Sequence, residues 1–438
     1  MVQASGASCS FIIAVRMAAV AVSHVYPIGS RLNEHGRLEV GGCDVVELAR
    51  EFGTPAYVYA EDDMRARARS FAEAFRARTE HFEIVYASKA FPCTAVYRLF
   101  AEEGLSADVA SGGELHLALA AGMDPQRLYM HGNNKSPAEL DYAIEKGLGH
   151  IVVDSFDEIE RLRGRGQRVL LRVTPGIEPT THEFIQTGQV DSKFGFQMGE
   201  VERAVDACAG AGLELCGLHA HIGSQILDVD VFEKLGKLLA GMGAWPLLNL
   251  GGGLGIAYTA DDTAPSIEEY VDALLRHAPD GVTVLSEPGR ALVGNAGVTL
   301  YTVGTIKRIP GVRTYVAVDG GMSDNLRPML YGARYEAEIA DRFGATQVGA
   351  GAPRGTSGAL CTIAGMHCES GDVLVRDVEL NDPRVGDVLV IPATGAYSHA
   401  MANNYNAVPR PPVIFCRDGD ARVVVRRETY EDLTLRDR

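Results

Sequence analysis

The chain has 438 residues, of which 46% are apolar and 22% are charged, and its formal net charge is −16. This length excludes a single small core and suits one large barrel plus a second domain, or two to three ordinary domains. The acidic balance excludes a chain-wide electrostatic surface for nucleic acid or for an anionic membrane. We therefore expect small-molecule ligands that are held by local groups.

The amino-terminal residues 1–24 are predicted to be a disordered extension, or an over-long start with Met17 as the true initiator. The apolar run at 11–22 has no basic residue before it and is interrupted by Arg16, which disfavours an export signal. Nothing in the chain approaches the ~18 to 20 residues of a membrane span. The eight cysteines form neither a CxxC pair nor a zinc-like spacing, so we expect reduced thiols in a cytoplasmic protein.

Residues 25–52 are predicted to be a strand segment that joins a carboxy-terminal β domain, because the sequence at 24–42 is typical of a strand and hairpin. Residues 53–300 alternate short apolar runs with longer helix-like stretches. This alternation predicts an α/β fold, an eight-fold βα barrel of the TIM type with a parallel sheet. The predicted strands are 85–89, 106–110, 127–131, 151–155, 169–173, 216–221, 247–251 and 283–287, with helices that include 61–78 and 200–211.

The pattern changes after about residue 300, where β-type runs are separated by turns. Residues 301–438 are therefore predicted to form a second, mostly antiparallel β domain. The Gly/Ala-rich stretch at 344–360 is predicted to be a flexible loop or insertion. The predicted strands of this domain lie at 300–306, 313–318, 387–392, 411–415 and 421–427.

Every predicted barrel strand ends in or beside polar residues or glycines. In a parallel barrel the carboxyl ends of the strands open at one face, which is where barrels place their working groups. One mouth is thus expected to collect many of the barrel's ionisable groups. The residues concerned are Lys89, Asp108, His131, Asp154, Arg172, His221, the glycine run 251–255 and Glu287.

Lys89 ends the apolar stretch EIVYAS, where an unpaired ammonium would be costly to desolvate. It must therefore reach water, a counter-charge or a covalent partner. The glycines at 251–253 can form a nest of backbone N–H groups for a phosphate, although they match neither the dinucleotide-binding nor the triphosphate-binding fingerprint. A lysine, a phosphate nest and the Glu287 carboxylate in one mouth are the components of a pyridoxal phosphate site.

Several motifs together resemble the fold-type III pyridoxal phosphate-dependent decarboxylases, which pair a barrel with a β domain. Within that group, HGNNK, the stretch 172–196 and the stretch 318–336 resemble the diaminopimelate decarboxylase family. The resemblance covers roughly residues 25–430. Two departures are Phe91, where the family often has Asn and which is expected to lie near the cofactor, and Gly365-Met366-His367, where a Gly-Pro pair is usual. The shared motifs are YASKAF, HIGSQ, GGGLG, EPGR, CESGD and GAYSHAMANNYN.

The resemblance implies that pyridoxal 5'-phosphate is the cofactor and that no metal is needed. It implies that Lys89 binds the cofactor covalently, that Glu287 faces the ring nitrogen and that His221 stacks on the ring. Asp108 supports His221 or the ring, or is a structural strand-end residue, and His219 is best interpreted as a satisfied core histidine. The phosphate-binding set is Ser224, Gly251, Gly252, Gly253, Gly289, Arg290 and Tyr397.

The resemblance also implies a set of residues that bind a substrate with an amino-acid group at both ends. Guanidinium groups suit its distal carboxylate and a glutamate suits its distal ammonium. Cys368 is implied to return a proton to the substrate carbon after CO₂ leaves. In the family this loop enters the active site of the other subunit, which implies a head-to-tail homodimer with shared active sites. The substrate-binding set is Arg290, Arg327, Tyr331, Glu369 and Tyr397.

The expected reaction is decarboxylation of meso-2,6-diaminopimelate at its D-configured centre to give L-lysine and CO₂, the last step of lysine biosynthesis. A decarboxylase for ornithine, arginine or carboxynorspermidine would keep Lys89 and Glu287, but it should not need the full set of Arg327, Tyr331 and Glu369. A non-catalytic decoy homologue would have no reason to keep Lys89, Glu287 and Cys368 together.

Overall fold

The computed structural model describes residues 22–177, 192–343 and 359–438, which form a barrel and a large second sheet. The expectations for residues 1–21 and for most of the 344–360 loop lie outside the described residues. None of the helices in the described ranges is long and apolar enough to cross a membrane.

The amino-terminal segment forms a small antiparallel sheet of its own. Its strands are β1 (Arg31–Leu32), β2 (Leu38–Val40) and β3 (Cys43–Asp44), and helix α1 (Val45–Phe52) follows. Asp44 caps this helix, because its side chain accepts hydrogen bonds from the backbone N–H groups of Val46 and Glu47. The segment contacts the β domain through a shared apolar core and a hydrogen bond from the Leu38 N–H to the Ala340 carbonyl. It therefore packs on the second sheet without adding a strand to it.

Eight parallel strands close the barrel in the order in which they occur along the chain, and the last strand pairs with the first. Each lies within a few residues of its predicted position. A further short parallel strand, β10 (Phe196–Gln197), pairs with the fifth barrel strand. The barrel strands are β5 (Phe82–Ala87), β6 (Ser106–Val109), β7 (Leu128–Met130), β8 (His150–Val153), β9 (Arg168–Thr174), β11 (Glu214–His219), β12 (Leu247–Asn249) and β13 (Thr283–Ser286).

Helices surround the barrel, and serines that precede several of them fix where they begin. The hydroxyl oxygens of Ser111, Ser136, Ser155 and Ser266 each accept a hydrogen bond from the backbone N–H three residues later, which satisfies a donor that the helix itself leaves free. The helices are α2 (Glu61–Arg76), α3 (Thr94–Glu102), α4 (Gly112–Ala120), α5 (Pro137–Glu145), α6 (Phe156–Arg161), α7 (Val201–Gly210), α8 (Asp230–Ala240), α9 (Ile267–Leu275) and α10 (Arg290–Val293).

The second sheet is mostly antiparallel and is built around one long strand, β14 (Gly297–Ile309). This strand pairs antiparallel with β15 through its carboxy-terminal part and with β4 and β19 through its amino-terminal part. Two pairs, β15 with β17 and β4 with β20, are parallel. The other elements of the domain are β4 (Ala56–Ala60), β15 (Arg313–Val318), α11 (Arg327–Tyr331), β16 (Glu338–Ile339), β17 (Ala359–Ala364), β18 (Val373–Leu380), β19 (Val388–Ile391), β20 (Val413–Arg417), β21 (Asp420–Val425) and α12 (Tyr430–Thr434).

Strand β4 lies in the second sheet, so the barrel begins later in the chain than predicted. The sequence division at residue 53 places Ala56–Ala60 in the barrel, but this strand lies in the second sheet between β14 and β20. All five of its residues are buried, so its apolar pattern is equally compatible with either sheet. We place the start of the barrel at α2, because the strand before this helix pairs in the second sheet and the strand after it pairs in the barrel.

Two successive layers of side chains inside the barrel have different chemistry. The lower layer is an apolar cluster. Because side chains alternate along a strand, the residue two positions later on each of these strands also faces inward, one layer closer to the carboxyl ends. Those residues are Ala87, His131, Asp154, Arg172, Asn249 and Glu287, while the lower layer contains Val85, Tyr129, Val152, Leu170, Leu247 and Leu285.

Candidate active site

A cavity opens at the carboxyl ends of the barrel strands, where the second domain covers part of the mouth. It encloses about 420 Å³ of space, part of which is open to solvent. Four further residues line it beside those predicted, namely Ala87, Leu254, Pro288 and Ala291. The predicted residues that the cavity brings together are Lys89, Asp108, His221, Ser224, Gly253, Glu287, Gly289, Arg290 and Tyr397.

Glu287 is buried in the upper layer of the barrel and is held by three side chains. His131 Nε2 lies 2.9 Å from Glu287 Oε1, and His219 Nε2 lies 3.2 Å from Oε2. Asn249 Nδ2 donates to Oε1 at 2.6 Å. Burial alone would raise the pKa of Glu287, but the two histidines outweigh it and hold the pKa well below its usual range. Glu287 is therefore an ionised acceptor, and each histidine Nε2 carries the proton that it donates.

The side chains of His131, His219 and Glu287 also lie close enough together to hold a metal ion, since their ligand atoms are within 4.8 Å of one another. Burial lowers the pKa of His219 to about 4, against the influence of Glu287, so this ring is neutral at neutral pH. Its Nδ1 is buried and has no hydrogen-bond partner. A metal-bound histidine usually donates its second ring N–H to an acceptor, so the geometry fits a hydrogen-bonded cluster better than a metal site.

The pKa of Asp108 is shifted in the opposite direction to that of Glu287. Burial and the nearby Glu287 charge raise the pKa of Asp108 to about 7, against the influence of His131 and Lys89. Its Oδ1 accepts a hydrogen bond from the Ser88 N–H at 3.0 Å, which ties it to the turn that carries Lys89. Two carboxyl groups in one cavity therefore have pKa values shifted in opposite directions, because among the described residues only Glu287 has histidine donors.

Lys89 lies on a single 3₁₀ turn, Ser88–Ala90, directly after β5. Its side chain is exposed to the cavity, and no carboxylate of the described residues lies within 4.0 Å of its amine. Burial, and after it the nearby charge of Lys89, holds the pKa of His221 well below its usual value, so that this imidazole is neutral. The lysine is thus an amine without a fixed counter-charge at the rim of the barrel.

The glycine run after β12 divides into two parts. Gly251 donates its N–H to Asn249 Oδ1 at 2.9 Å, and Gly252 donates to His221 Nδ1 at 3.3 Å. A side chain at Gly252 would come within 2.0 Å of the Glu287 carbonyl oxygen. These two glycines therefore allow the ends of neighbouring strands to pack closely. They do not line the cavity, whereas Gly253 does.

Arg290 lines the cavity and Arg327 is buried without lining it, and neither has a carboxylate partner among the described residues. Arg290 Nη2 donates to Ser224 Oγ at 2.8 Å, and Arg290 Nη1 donates to the hydroxyl of Tyr258. Arg327 donates to the hydroxyl of Tyr335. Neither guanidinium has a carboxylate within 4.0 Å in the described parts of the chain. A buried cation without an anion is costly, so this arrangement indicates an anionic ligand.

The predicted residues Cys368 and Glu369 are not part of the cavity of their own chain. Both are exposed on the loop between β17 and β18. Asp372 holds this loop in shape, because its carboxylate accepts the N–H groups of Met322 at 2.7 Å and of His367 at 2.9 Å. Tyr331 is half-buried at the end of α11 and likewise does not line the cavity.

The family model described as "Pyridoxal-dependent decarboxylase, pyridoxal binding domain" matches residues 61–294. The diaminopimelate decarboxylase of Bacillus subtilis (strain 168) is 47% identical, over 93% of this chain and 97% of that protein. The chain belongs to the diaminopimelate decarboxylase family. The diaminopimelate decarboxylase of M. jannaschii in complex with L-lysine has a similar structure, with a TM-score of 0.85 and 33% identity over 93% of this chain and 97% of that one.

A point mutant of the Helicobacter pylori diaminopimelate decarboxylase, also complexed with L-lysine, has a TM-score of 0.81 and 30% identity. That match covers 90% of this chain and 98% of the other. The predicted barrel with a second, mostly antiparallel domain is confirmed. The predicted family is confirmed as well, and with it a decarboxylase that depends on pyridoxal phosphate.

The donors in the cavity fit pyridoxal phosphate. An exposed amine suits its aldehyde, an ionised buried carboxylate suits its basic ring nitrogen, and a neutral imidazole can pack on its ring. Ser224, Tyr397 and Gly253 supply polar groups nearby for the phosphate. These groups together match an aldehyde, a ring nitrogen and a phosphate on one small molecule.

The structure corrects two expectations. Phe91 does not lie at the cavity, because it is fully buried and stacks on Tyr59 with ring centroids 4.5 Å apart. His219 is more than a satisfied core histidine, since it contacts Glu287 directly. Asn249, Tyr258 and Tyr335 were not singled out from the sequence. The alternation of inward and outward residues along β12 could have indicated Asn249, but no local signal marks the two tyrosines.

Proposed function

We propose that this protein removes CO₂ from the D-configured centre of meso-2,6-diaminopimelate and releases L-lysine, the last step of lysine biosynthesis. The observation that carries the choice of substrate is the pair of buried guanidinium groups, Arg290 and Arg327, that lack a carboxylate partner beside the cavity. A substrate that keeps a second carboxylate away from the reacting carbon supplies the missing anion.

In this proposal Lys89 Nζ binds the aldehyde carbon of the cofactor. Ser224, Gly253, Tyr397 and the backbone of residues 289–290 hold the phosphate, while Gly251 and Gly252 shape the loop. When bound, pyridoxal phosphate supplies an electron sink for the pair of electrons that the departing CO₂ leaves behind.

Glu287 keeps a proton on the ring nitrogen because it is itself ionised and is held rigidly by His131, His219 and Asn249. The imidazole of His221 packs on the ring, and its neutral state avoids placing a second cation beside the ring N–H. Asp108, whose pKa is raised to about 7, orients the Lys89 turn through the Ser88 N–H.

Arg290 and Arg327 bind the distal carboxylate, and Glu369 with Tyr331 binds the distal amino group. Cys368 Sγ donates a proton to the carbon that has lost CO₂. Since Cys368 and Glu369 are exposed and do not line the cavity of their own chain, we propose that they complete the cavity of a second copy in a head-to-tail homodimer.

The surroundings of the Cys368 loop support such an interface. Met329, Leu330, Met366 and Tyr405 are large apolar side chains that are 40% or more exposed. The His367 ring, next to Cys368, lies 5.5 Å from the ring of Tyr405, and a Cβ on Gly371 would be 3.3 Å from Met329 Cε. Clustered exposed apolar side chains are typical of interaction surfaces.

One assay tests the substrate. Purified protein with pyridoxal phosphate is incubated separately with meso-diaminopimelate, ornithine and arginine, and CO₂ and the amine product are measured. We expect CO₂ and L-lysine from meso-diaminopimelate alone. Equal or faster release from ornithine or arginine would support the alternative of a related basic amino-acid decarboxylase, and no release from any of them would support a decoy homologue.

The shared site is tested by mixing two inactive variants, Lys89→Ala and Cys368→Ala. If the two residues of one site come from different chains, half of the dimers are mixed and each has one intact site. We therefore expect recovery of about a quarter of the wild-type specific activity. No recovery, with subunit exchange confirmed by mass, would show that both residues act within one chain.

We propose the cytoplasm as the location of the protein. All seven cysteines in the described ranges are free, as is usual in a reducing compartment. Fractionation of the source cells with an antibody against the chain would test this location, and recovery outside the cytoplasmic fraction would contradict it.

A further inference from the structure

The two guanidinium groups beside the cavity are held mainly by tyrosines. Arg290 and Arg327 are only 6% and 5% exposed. The Nε of each is buried and has no hydrogen-bond partner among residues 22–177, 192–343 and 359–438. Each group therefore keeps donors free while its position is set by neutral neighbours. Such neighbours can orient a cation without neutralising it.

Tyr258 contacts both arginines with different parts of its side chain. Its hydroxyl accepts a hydrogen bond from Arg290 Nη1, and its ring lies 4.5 Å from the guanidinium carbon of Arg327. The residue follows the glycine run of β12, whereas Arg327 belongs to the second domain. Tyr258 thus links the positions of two cations that come from different parts of the chain.

Tyr335 is the second tyrosine that holds Arg327. Its hydroxyl accepts a hydrogen bond from Arg327 Nη1, and its ring meets that of Tyr258 edge-on with centroids 5.3 Å apart. Burial raises the pKa of Tyr335 to about 12, although Arg327 acts against this. The phenol is therefore neutral at neutral pH, and the charge of Arg327 remains available to a ligand.

We propose that Tyr335 is a positioning residue that, with Tyr258, holds Arg290 and Arg327 at the separation needed to bind a second carboxylate. This inference rests on the proposed function and adds the residues that set its selectivity. Tyr335 does not contact the reacting atoms. Loss of its hydroxyl should weaken the binding only of ligands that carry a carboxylate at the distal end.

The test compares L-lysine, which keeps the distal carboxylate, with 1,5-diaminopentane, which lacks it. Dissociation constants are measured by calorimetry on the holoenzyme and on Tyr335→Phe. We expect lysine to bind about tenfold more weakly, because Arg327 loses the hydrogen bond that fixes its position for the carboxylate, while the dissociation constant of the diamine changes by less than about twofold. For meso-diaminopimelate, KM should rise by about tenfold and kcat should stay within about twofold.

Tyr129→Phe is the matched control, since it also removes a buried hydroxyl, here one that donates to Glu83 at 2.7 Å in the lower part of the barrel. It should leave both dissociation constants unchanged. Should Tyr335→Phe fail to fold, Tyr258→Phe takes its place, because it removes the hydroxyl at Arg290 and keeps the ring against Arg327. The same selective loss of lysine is expected.

If Tyr335→Phe weakened the binding of lysine and of the diamine equally, or weakened neither, the positioning role of the tyrosines would be overturned. The proposed function fails separately, if the wild-type holoenzyme neither binds lysine nor releases CO₂ from meso-diaminopimelate. A wild-type protein that does both, with a Tyr335→Phe variant that shows no selective loss, would contradict the positioning role alone.

Discussion

The two layers inside the barrel are made by the same strands yet have opposite chemistry. Leu285 in the lower layer packs among apolar side chains, and Glu287, two residues later, is ionised and held by two histidines. Tyr129 and His131, and Leu247 and Asn249, repeat this relation on β7 and β12. On these strands, an apolar side chain of the core and a polar side chain of the site are thus only two residues apart, about 7 Å.

This contrast shows how the barrel tolerates a cluster of ionisable groups. The lower layer is closed by apolar contacts and supplies stability, while in the upper layer Glu287 is held by hydrogen bonds and Arg172 lies 3.9 Å from Asp154. We therefore expect substitutions in the upper layer to change chemistry more than stability, and substitutions in the lower layer to do the reverse.

The largest effect is expected at the rim, for Lys89→Ala. The variant should lose turnover and the cofactor absorbance band because no other described lysine lines the cavity, yet it should remain folded since Lys89 is exposed. Activity, absorbance and circular dichroism together check this. A Lys89→Ala protein that decarboxylates at near the wild-type rate would remove the lysine from the mechanism.

The next effect is expected for Glu287→Gln, which should retain the cofactor and lower kcat by about a hundredfold or more, because an amide cannot hold the ring nitrogen protonated. The matched control is Glu83→Gln, the same change at the lower end of the barrel, where Glu83 accepts a hydrogen bond from Tyr129. We expect that control to keep its kcat. Equal turnover of Glu287→Gln and wild type at saturating substrate would exclude Glu287 as the partner of the ring.

In the lower layer, Leu170→Ala should lower the free energy of unfolding by about 2–5 kcal/mol through the cavity that it leaves, while kcat stays within about twofold. The same substitution at Leu435, which is 79% exposed, should change stability by less than about 0.5 kcal/mol. Denaturant titration and steady-state kinetics measure both quantities. A Leu170→Ala protein that is as stable as wild type but has lost activity would reverse the assignment of the layers.

The smallest effect is a pH dependence at Asp108. Its folded-state pKa, about 7, is above the ordinary value of 3.8, so between pH 4 and 7 the unfolded chain loses a proton that the folded chain retains. Stability from this group is therefore present at low pH and falls as the pH rises towards 7. Asp108→Asn should gain stability relative to wild type across this window, as measured by denaturant titration at pH 4.5 and 7.5.

Asp418→Asn, whose parent side chain is 81% exposed, should show no such gain and serves as the control for Asp108→Asn. If the difference in stability between Asp108→Asn and wild type is the same at both pH values, then the pKa of Asp108 is not raised in the folded protein. The cavity would then contain two ionised carboxylates, Asp108 and Glu287.

Much of the fold could be predicted from the sequence because the signals for the barrel strands are local. The eight strands have three to seven residues and most of them are rich in apolar side chains, and polar residues or glycines follow each of them. The buried strand β4 shows the limit of this reasoning. Its apolar pattern does not reveal which sheet it joins, since that depends on partners far along the chain.

The sequence by itself determined which residue types stand at the carboxyl ends of the strands, because the period of two along a strand is a property of the local backbone. Only the tertiary structure decided their partners. His131 and Glu287 are 156 residues apart, and Tyr258 lies between Arg290 and Arg327 because the second domain packs over the mouth of the barrel. Contacts at such separations depend on how the domains pack, and no local pattern encodes them.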